Sequence, residues 1–514
     1  MNNNGSVVQL KENFIRKTID AYVKKQMRRH QHIQTENPKV IHDPVHGTNV
    51  FHPHEIAFLD LPIIQRLRRI SQTDVASFVF PAGNHNRFEH TVGVAIVAGQ
   101  MVDSIFSKCI NGLNGIDKDF IFNNCRIAAI FHDCGHGPFS HLSEQLYALQ
   151  FSEIKKSTPR FKGANAHEIL SYYIVTSDPI RKFNEKVIKK IYNIDLDLDF
   201  IGAMIVGYID DEDKSRGFAV ELINGAFDAD KLDYILRDAH ATGIRMALDL
   251  PRLLYTLNVI PDQKGVKRLA VDISGVAALE AIIFNKMMLT STIYHHQKVR
   301  AVGCMLKDII EKSGKFYNAL EYLNYTDDQI FNLPSKNQLV KKQIHMVKNR
   351  ILPKRAFCFS SRTLDKASEQ RKIMQKFEER EFKKNIIAHI ASYIKNKLGR
   401  EIQEHDIWID SPNNPKFKEA TQCLIKSDGS ENNSLTLSEV FPTDAWVRAF
   451  SENKWQGFVY AMPENCQDVA VASKHILESV FQTTFNQFAT KLCKLEDIDL
   501  ATMNPKNPHY SALP

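Results

Sequence analysis

A histidine and an aspartate side by side, trailed by glycines and two more histidines, make FHDCGHGPFSH (Phe131 to His141) the most chemically suggestive stretch of this chain. Mixed imidazole and carboxylate ligands suit Mn, Fe, Zn, Ni or Mg, with positions left open for water and phosphate oxygens. His132 and Asp133 are adjacent, so at a helix end they project about 100° apart and can grip one ion from two sides. Gly135, Gly137 and Pro138 then break the helix, and we expect them to bring the backbone close to a ligand. Two further ligands must come from other helices. His90 in NRFEHTVG is one, and Asp230 in FDADKLDYILRDA is the other, on a helix whose apolar face would otherwise bury an unpaired carboxylate. Of the 20 histidines, 10 fall between His42 and His167, beside these carboxylates. Each residue alone reads as a hydrogen-bonded core histidine or a helix cap, but the four together point to a divalent-metal site.

Ligands so far apart in sequence need a rigid helical frame. From about His54 to Lys312 the apolar spacing is helical almost throughout, as in Leu61–Ser71, Phe88–Ser107, Cys125–Phe131, Ser140–Leu149, His167–Thr176, Phe227–Ala239 and Val276–Glu311. A two-stranded element is expected at Leu257–Asp272. Val7 to Gln31 reads as an amphipathic basic helix with Leu10, Phe14, Ile15, Ile19, Tyr22 and Val23 on one face, packing on its own or a sister subunit. Beyond Lys312 come charged helices such as Thr363–Lys397, a polar loop from Ser427 to Ser434, strands at Asp406–Asp410 and Gly457–Met462, and a last helix near Gln467–Lys494. The tail NPKNPHYSALP reads as loosely held. The expected fold is mainly α. A basic helical arm (1–37) precedes a helical core (38–312), and an α+β region (313–514) serves oligomerisation or regulation.

Composition limits the alternatives. With 514 residues, 43% of them apolar and 24% charged, the chain can bury a sizeable interior and is neither disordered nor of low complexity. No run approaches the roughly 18 uninterrupted apolar residues of a membrane helix, and the charged start MNNNGSVVQLKENFIRKTID lacks the apolar centre of a signal peptide. A cytoplasmic location without membrane contact is the resulting expectation. The eight cysteines are scattered without CxxC pairs and read as reduced, mostly buried thiols. A net charge of +7 suits a binder of anionic small molecules and permits nucleic acid as a secondary partner.

The order His90, His132-Asp133, Asp230 resembles the H…HD…D signature of the HD-domain metal phosphohydrolases. KVIHDPVHG (Lys39 to Gly47), LPIIQRLRRISQ (Leu61 to Gln72), FVFPAGNHNRFEHTVGV (Phe78 to Val94), HDCGHGPFSH and DADKLDYILRDA are more specific and look like the deoxynucleoside-triphosphate triphosphohydrolase branch. That branch includes the sterile-α-motif/HD enzyme of animals and bacterial relatives without that motif, and the DADKLDYILRDAHATG stretch looks closer to the bacterial members. The resemblance covers roughly Lys39 to Lys312 and implies an HD-domain helical core. It also implies a metal held by His90, His132, Asp133 and Asp230, with water attacking the α-phosphorus to release deoxynucleoside and intact triphosphate.

The resemblance places Arg87, His136, His141, His167, Lys231 and Tyr234 along the phosphate chain or beside the reacting centre. It makes His141 the donor of a proton to the leaving 5′-oxygen. Glu144, one helical turn on, is expected to orient that imidazole, although the family has an Asp nearby, and Glu168 is expected to do the same for His167. Gln72 matches a residue that reads the sugar 3′-hydroxyl. Arg237 and Asp238 could form a local charged pair.

Lys39, Asp60, Gln65, Arg68, Val79 and Phe80 match an allosteric nucleotide pocket between subunits, with Arg355 in LPKRAF as a further phosphate contact. The resemblance thus implies dNTP substrates, a GTP or dNTP activator, additional Mg carried with nucleotide, and a dimer or tetramer. Departures from the animal enzyme fall at His42, Asn258 and Met287, the last two standing where it has arginines. An alternative reading keeps the metal centre and changes the substrate to nucleotide monophosphates, cyclic nucleotides or nucleic-acid ends. A non-enzymatic alternative is a nucleic-acid-binding regulator using the N-terminal helix and Lys341–Arg355.

Overall fold

The computed structural model describes residues 3–28, 30–109, 113–210, 212–413, 415, 417, 422–427 and 434–493. The tail and most of the Ser427–Ser434 loop lie outside them. The fold is mainly helical with small sheets, as the apolar spacing predicts. It divides into two compact units, and the division is not the one drawn from the sequence. The first unit comprises Met1–Leu289, Ser313–Pro334 and Phe417–Asp444, and the second Thr290–Lys312, Ser335–Lys416 and Ala445–Pro514. Two segments of the expected C-terminal region therefore fold with the first unit.

At the centre of the first unit, helices Arg87–Lys108 and Lys118–Phe131 pack side by side. Each starts on a side-chain cap: Asn86 accepts from the amides of Phe88 and Glu89, and Asp117 from those of Asp119 and Phe120. Their shared interior holds Val94, Ala95, Val97, Ala98, Ile127, Ala128 and Ile130, all fully buried. Helix Ala229–Thr242 lies against Arg87–Lys108, starts on the Asp228 cap and ends at Gly243. Helices His141–Tyr147 and Ala166–Val175 complete the frame of the site.

The N-terminal helix, Asn3–Met27, packs on Ala166–Val175 and Asp178–Phe183 of its own unit. Ile19, Tyr22 and Val23 are buried as expected, and the Tyr22 hydroxyl donates to the Leu323 carbonyl at 3.1 Å. Leu10 and Phe14, assigned to the same face, are exposed. Leu61–Ser71 is not one helix: a short α-turn at Pro62–Gln65 passes into a 3₁₀ turn at Arg66–Arg69.

Strands Lys39–Asp43 and Gly47–Phe51 form an antiparallel hairpin. The expected pair Leu257–Pro261 and Lys267–Asp272 is present and widened into a four-stranded sheet by Leu424–Lys426 and Ser434–Thr436.

In the second unit a three-stranded antiparallel sheet has Gly457–Ala461 in the middle, flanked by Lys354–Phe359 and Ile407–Asp410. Strand Lys354–Phe359 begins at the last two residues of the run Lys341–Arg355, read as a basic nucleic-acid segment. Its alternation is hidden because Ala356, Phe357, Cys358 and Phe359 are all buried. Thr363–Lys397 splits into Glu369–Lys376 and Arg380–Leu398. The last helix runs Cys466–Phe481, stops at Gln482 in a left-handed conformation, and is followed by Gln487–Leu492.

Val276–Glu311 is likewise broken. Val276–Leu289 ends before a wide π-type turn at Thr290–Tyr294, and Gln297–Lys312 follows. Ile273–Tyr294 has the length and apolarity to cross a membrane, and half of its most apolar window is buried inside the protein. All eight cysteines are free thiols, six of them buried.

Candidate metal and phosphate site

His90 sits in the first turn of the Arg87–Lys108 helix, His132 and Asp133 directly follow Lys118–Phe131, and Asp230 sits in the first turn of Ala229–Thr242. Three helix ends thus carry the four residues, and the fold brings them together. Nε2 of His90 is 3.3 Å from Nε2 of His132, 2.9 Å from Oδ1 of Asp230 and 3.6 Å from Oδ2 of Asp133. His132 Nε2 is 3.4 Å from Asp133 Oδ2 and 3.9 Å from Asp230 Oδ1. Ligands about 2.1 Å from one ion stand roughly 3–3.5 Å from each other, so this quartet fits a divalent cation.

The tautomers fit as well. His132 donates from Nδ1 to the Ala129 carbonyl at 2.7 Å, and His90 bonds through Nδ1 to Asp233 Oδ2 at 2.7 Å. Both rings therefore turn their Nε2 lone pairs to the common centre. Burial pulls the His90 pKa down, yet Asp230 and Asp233 together raise it to about 10. Carboxylates arranged this way call for a positive charge at the centre, which a cation supplies in place of the proton.

Behind the quartet lies a buried network that the sequence reading missed. Asp233 accepts from Arg237 Nε and Nη2, both at 2.8 Å, and bonds to His46 Nε2 at 2.7 Å, while Arg237 reaches Asp43 at 2.9 Å. Burial would raise the Asp233 carboxyl, but Arg237, His46 and His90 hold it well below the usual carboxylate range. Gly93 is what admits the network: a Cβ there would stand 1.9 Å from Asp233 Oδ1 and 2.2 Å from Arg237 Nη2. The expected Arg237–Asp238 pair is corrected, because Asp238 bonds instead to His85 at 2.8 Å. A usable signal existed in the i, i+4 spacing of Asp233 and Arg237 on one helix.

The second cluster adjoins the first through Asp133. Oδ1 of Asp133 is 3.4 Å from His136 Nε2, and Arg87 Nη1 donates to Oδ2. Burial would raise the Asp133 carboxyl, yet Arg87, with His132 and His136, keeps it well below the ordinary range. Glu144 sits between two imidazoles: Oε2 is 3.0 Å from His141 Nδ1, and Oε1 is 2.9 Å from His167 Nδ1 and accepts the His167 amide. The His136 and His167 rings stack at 3.8 Å, and His141 meets His136 edge-on at 5.0 Å. Burial lowers the His136 pKa, reinforced by Arg87 and His167. Against the same burial, Glu144 lifts His167 to about 9. His136 is fully buried with neither ring nitrogen hydrogen-bonded among the described residues, the kind of group that a bound anion satisfies.

Two expectations are corrected here. Glu168 does not orient His167, since its carboxylate closes the capping box on Asn165 at 2.6 and 3.0 Å. Gly135 makes its close approach to the neighbouring helix, not to a ligand, because a Cβ there would lie 2.2 Å from the His167 carbonyl.

Of the substrate set, Arg87 also donates from Nε to Ser140 Oγ at 2.7 Å. Gln72 is buried with its Oε1 unpartnered among the described residues. Lys231 is turned to its own helix start, with Nζ 2.5 Å from Asp228 Oδ2 and 2.9 Å from the Gly225 carbonyl. Tyr234 is half-buried one turn beyond Asp230.

Of the residues matched to an allosteric pocket, Gln65 and Arg68 bond to each other at 2.8 Å, and the Arg68 guanidinium lies 3.7 Å over the Phe88 ring. Lys39 and Asp60 are exposed, and Val79 and Phe80 half-buried. Arg355, in the second unit, donates to the Leu492 carbonyl at 3.1 Å. Of the departures, Asn258 bonds to Asp272 at 2.8 Å and Met287 is buried.

Fold and site together define a helical protein with clustered imidazoles and carboxylates that could hold a metal ion. Residues 87–210 match the HD domain and residues 248–486 the HD associated region. The chain thus carries a region similar to the HD domain, and the resemblance read from its motifs extends to curated relatives. It is 28% identical to the deoxynucleoside triphosphate triphosphohydrolase SAMHD1 of Gallus gallus over 67% of this chain and 55% of that protein. It is 27% identical to the Homo sapiens protein of the same name, over 59% of this chain and 48% of that one. The Dictyostelium discoideum homologue is 24% identical, over 86% and 81% of the two chains. The match thus spans about half the length of the chicken and human proteins.

Proposed function

We propose that this protein is a metal-dependent hydrolase that cleaves dNTPs to deoxynucleoside and inorganic triphosphate. The observation that carries the reading is the convergence of His90, His132, Asp133 and Asp230 beside Arg87 and the imidazoles of His136, His141 and His167. A divalent cation in the quartet supplies Lewis-acid polarisation of a phosphoryl oxygen and acidifies a water. The chain's own groups do the rest. Arg87 offsets phosphate charge, the neutral His136 imidazole offers a ring N–H to a phosphate oxygen, and His167 adds a second positive charge with Glu144 as its partner. Glu144 holds His141 through Nδ1, so that Nε2 can pass a proton to the departing 5′-oxygen. Gln72, with its unpartnered amide oxygen, reads the sugar hydroxyl. The relatives' printed names support dNTPs as the substrate class. We extend the proposal to activation by GTP or dNTP around Asp60, Gln65 and Arg68, in a cytoplasmic homo-oligomer.

The deciding experiment is chromatographic identification of phosphate products after incubating metal-loaded protein with each dNTP, alone, in mixtures and with GTP. Triphosphate and deoxynucleoside are expected, with turnover abolished in His132→Ala. Turnover confined to mixtures establishes activation. Orthophosphate or monophosphate as product, or no dNTP consumed with Mg, Mn, Fe or Co, refutes the reading and moves the search to other phosphate esters.

A further inference from the structure

Asp327 begins the short helix Asp327–Phe331, far in sequence from the quartet and from the residues placed along the phosphate chain, yet its side chain reaches two of the segments that form the site. Oδ2 accepts the Ser71 amide at 2.8 Å and the Ser71 hydroxyl at 2.6 Å, and Oδ1 accepts the Phe139 amide at 2.6 Å. Ser71 precedes Gln72, and Phe139 and Ser140 precede His141. One buried carboxylate therefore ties the segment carrying Gln72 to the loop that delivers His141.

That loop needs tying. Phe139 and Ser140 both have positive φ, 54° and 52°, a region that non-glycine residues hold only when their surroundings impose it. The Ser140 hydroxyl bonds to the Ser71 carbonyl and to Arg87 Nε, so the loop also sets the guanidinium that meets Asp133. Arg66 closes the other end, donating to the His136 carbonyl at 2.8 Å and to the Tyr325 carbonyl at 2.8 Å. Burial pushes the Asp327 carboxyl up to about 6, against the bonds from Ser71 and Phe139, which leaves it ionised at neutral pH as an acceptor for all three donors.

We infer that Asp327 is a positioning residue that holds Gln72, Arg87 and His141 in one register, so that recognition of the sugar 3′-hydroxyl and proton delivery both depend on it. The inference rests on the dNTP reading above for its catalytic consequence, but not for its structural one.

The test compares full-length, metal-loaded wild type with Asp327→Asn and with the gentler Ser71→Ala. The first readout is the ratio of kcat/KM for dATP to that for 2′,3′-dideoxy-ATP, which a loss of folded protein does not alter. In Asp327→Asn this ratio is expected to fall at least about tenfold and kcat about a hundredfold, with a smaller loss of the ratio in Ser71→Ala. The second readout is hydrogen exchange in peptides covering residues 70–73 and 136–142, expected to quicken there and not in helix Lys118–Phe131. An unchanged ratio in an active variant, or unchanged exchange in both peptides, overturns the inference. If wild type cleaves no dNTP, the functional reading fails and exchange alone decides the positioning role. If Asp327→Asn does not fold, Ser71→Ala decides on both readouts.

Discussion

The two histidine clusters of the first unit are built from the same residue types and are wired in opposite ways. In the quartet each imidazole spends Nδ1 on an outside acceptor, the Ala129 carbonyl or Asp233, and both Nε2 atoms converge with two carboxylates on one point. In the neighbouring cluster Nδ1 of His141 and Nδ1 of His167 both turn to the single carboxylate of Glu144. The first arrangement concentrates lone pairs and negative charge and suits a cation. The second pairs imidazoles with a shared counter-charge and suits the holding and moving of protons. Asp133 touches both, with one oxygen in the quartet and the other facing His136.

That contrast can be broken directly. Asp133→Ala is expected to abolish metal retention and lower turnover by at least about a thousandfold, whereas Glu144→Gln keeps a full equivalent of metal by elemental analysis while losing turnover. Equal metal loss in both variants would erase the distinction. Asp233→Asn sharpens it further. The residue touches no centre directly but orients His90, and about a 10–100-fold weaker metal affinity is expected in a competition titration with a chelator. An unchanged affinity would reduce the Asp233 network to packing.

The smallest effect concerns pH. The His167 pKa lies above that of a free histidine, so the bonds to Glu144 stabilise the fold fully below about pH 6.5 and lose that contribution as pH rises through about 9. Thermal melts between these pH values are expected to show that decline in wild type and a flatter profile in Glu144→Gln. Parallel profiles would mean that Glu144 does not set the His167 proton.

Helix positions around the site were legible wherever an apolar period ran uninterrupted, as at Phe88–Ser107, found at Arg87–Lys108. Prediction failed where a local conflict interrupts a period. The helix widens into a π-type turn at Thr290–Tyr294, and the stretch read as Leu61–Ser71 tightens into a 3₁₀ turn. Strand Lys354–Phe359 escaped because consecutive buried residues carry no alternation to read. The quartet and the Glu144 cluster were visible because motif residues of rare type recur in a fixed order. Asp327 and Gly93 were not, since nothing local distinguishes an aspartate at a helix start or a glycine within a helix.

Sequence alone determined the residue types of the quartet, their order and the helices that carry them, because side-chain chemistry and apolar period are local properties. Only tertiary structure decided which nitrogen each imidazole offers, that Glu144 and not Glu168 serves His167, that Arg237 pairs with Asp233 and Asp43, and that Asp327 joins Ser71 to Phe139. Those choices depend on groups distant in the chain meeting where water is excluded and every buried donor and acceptor must find a partner.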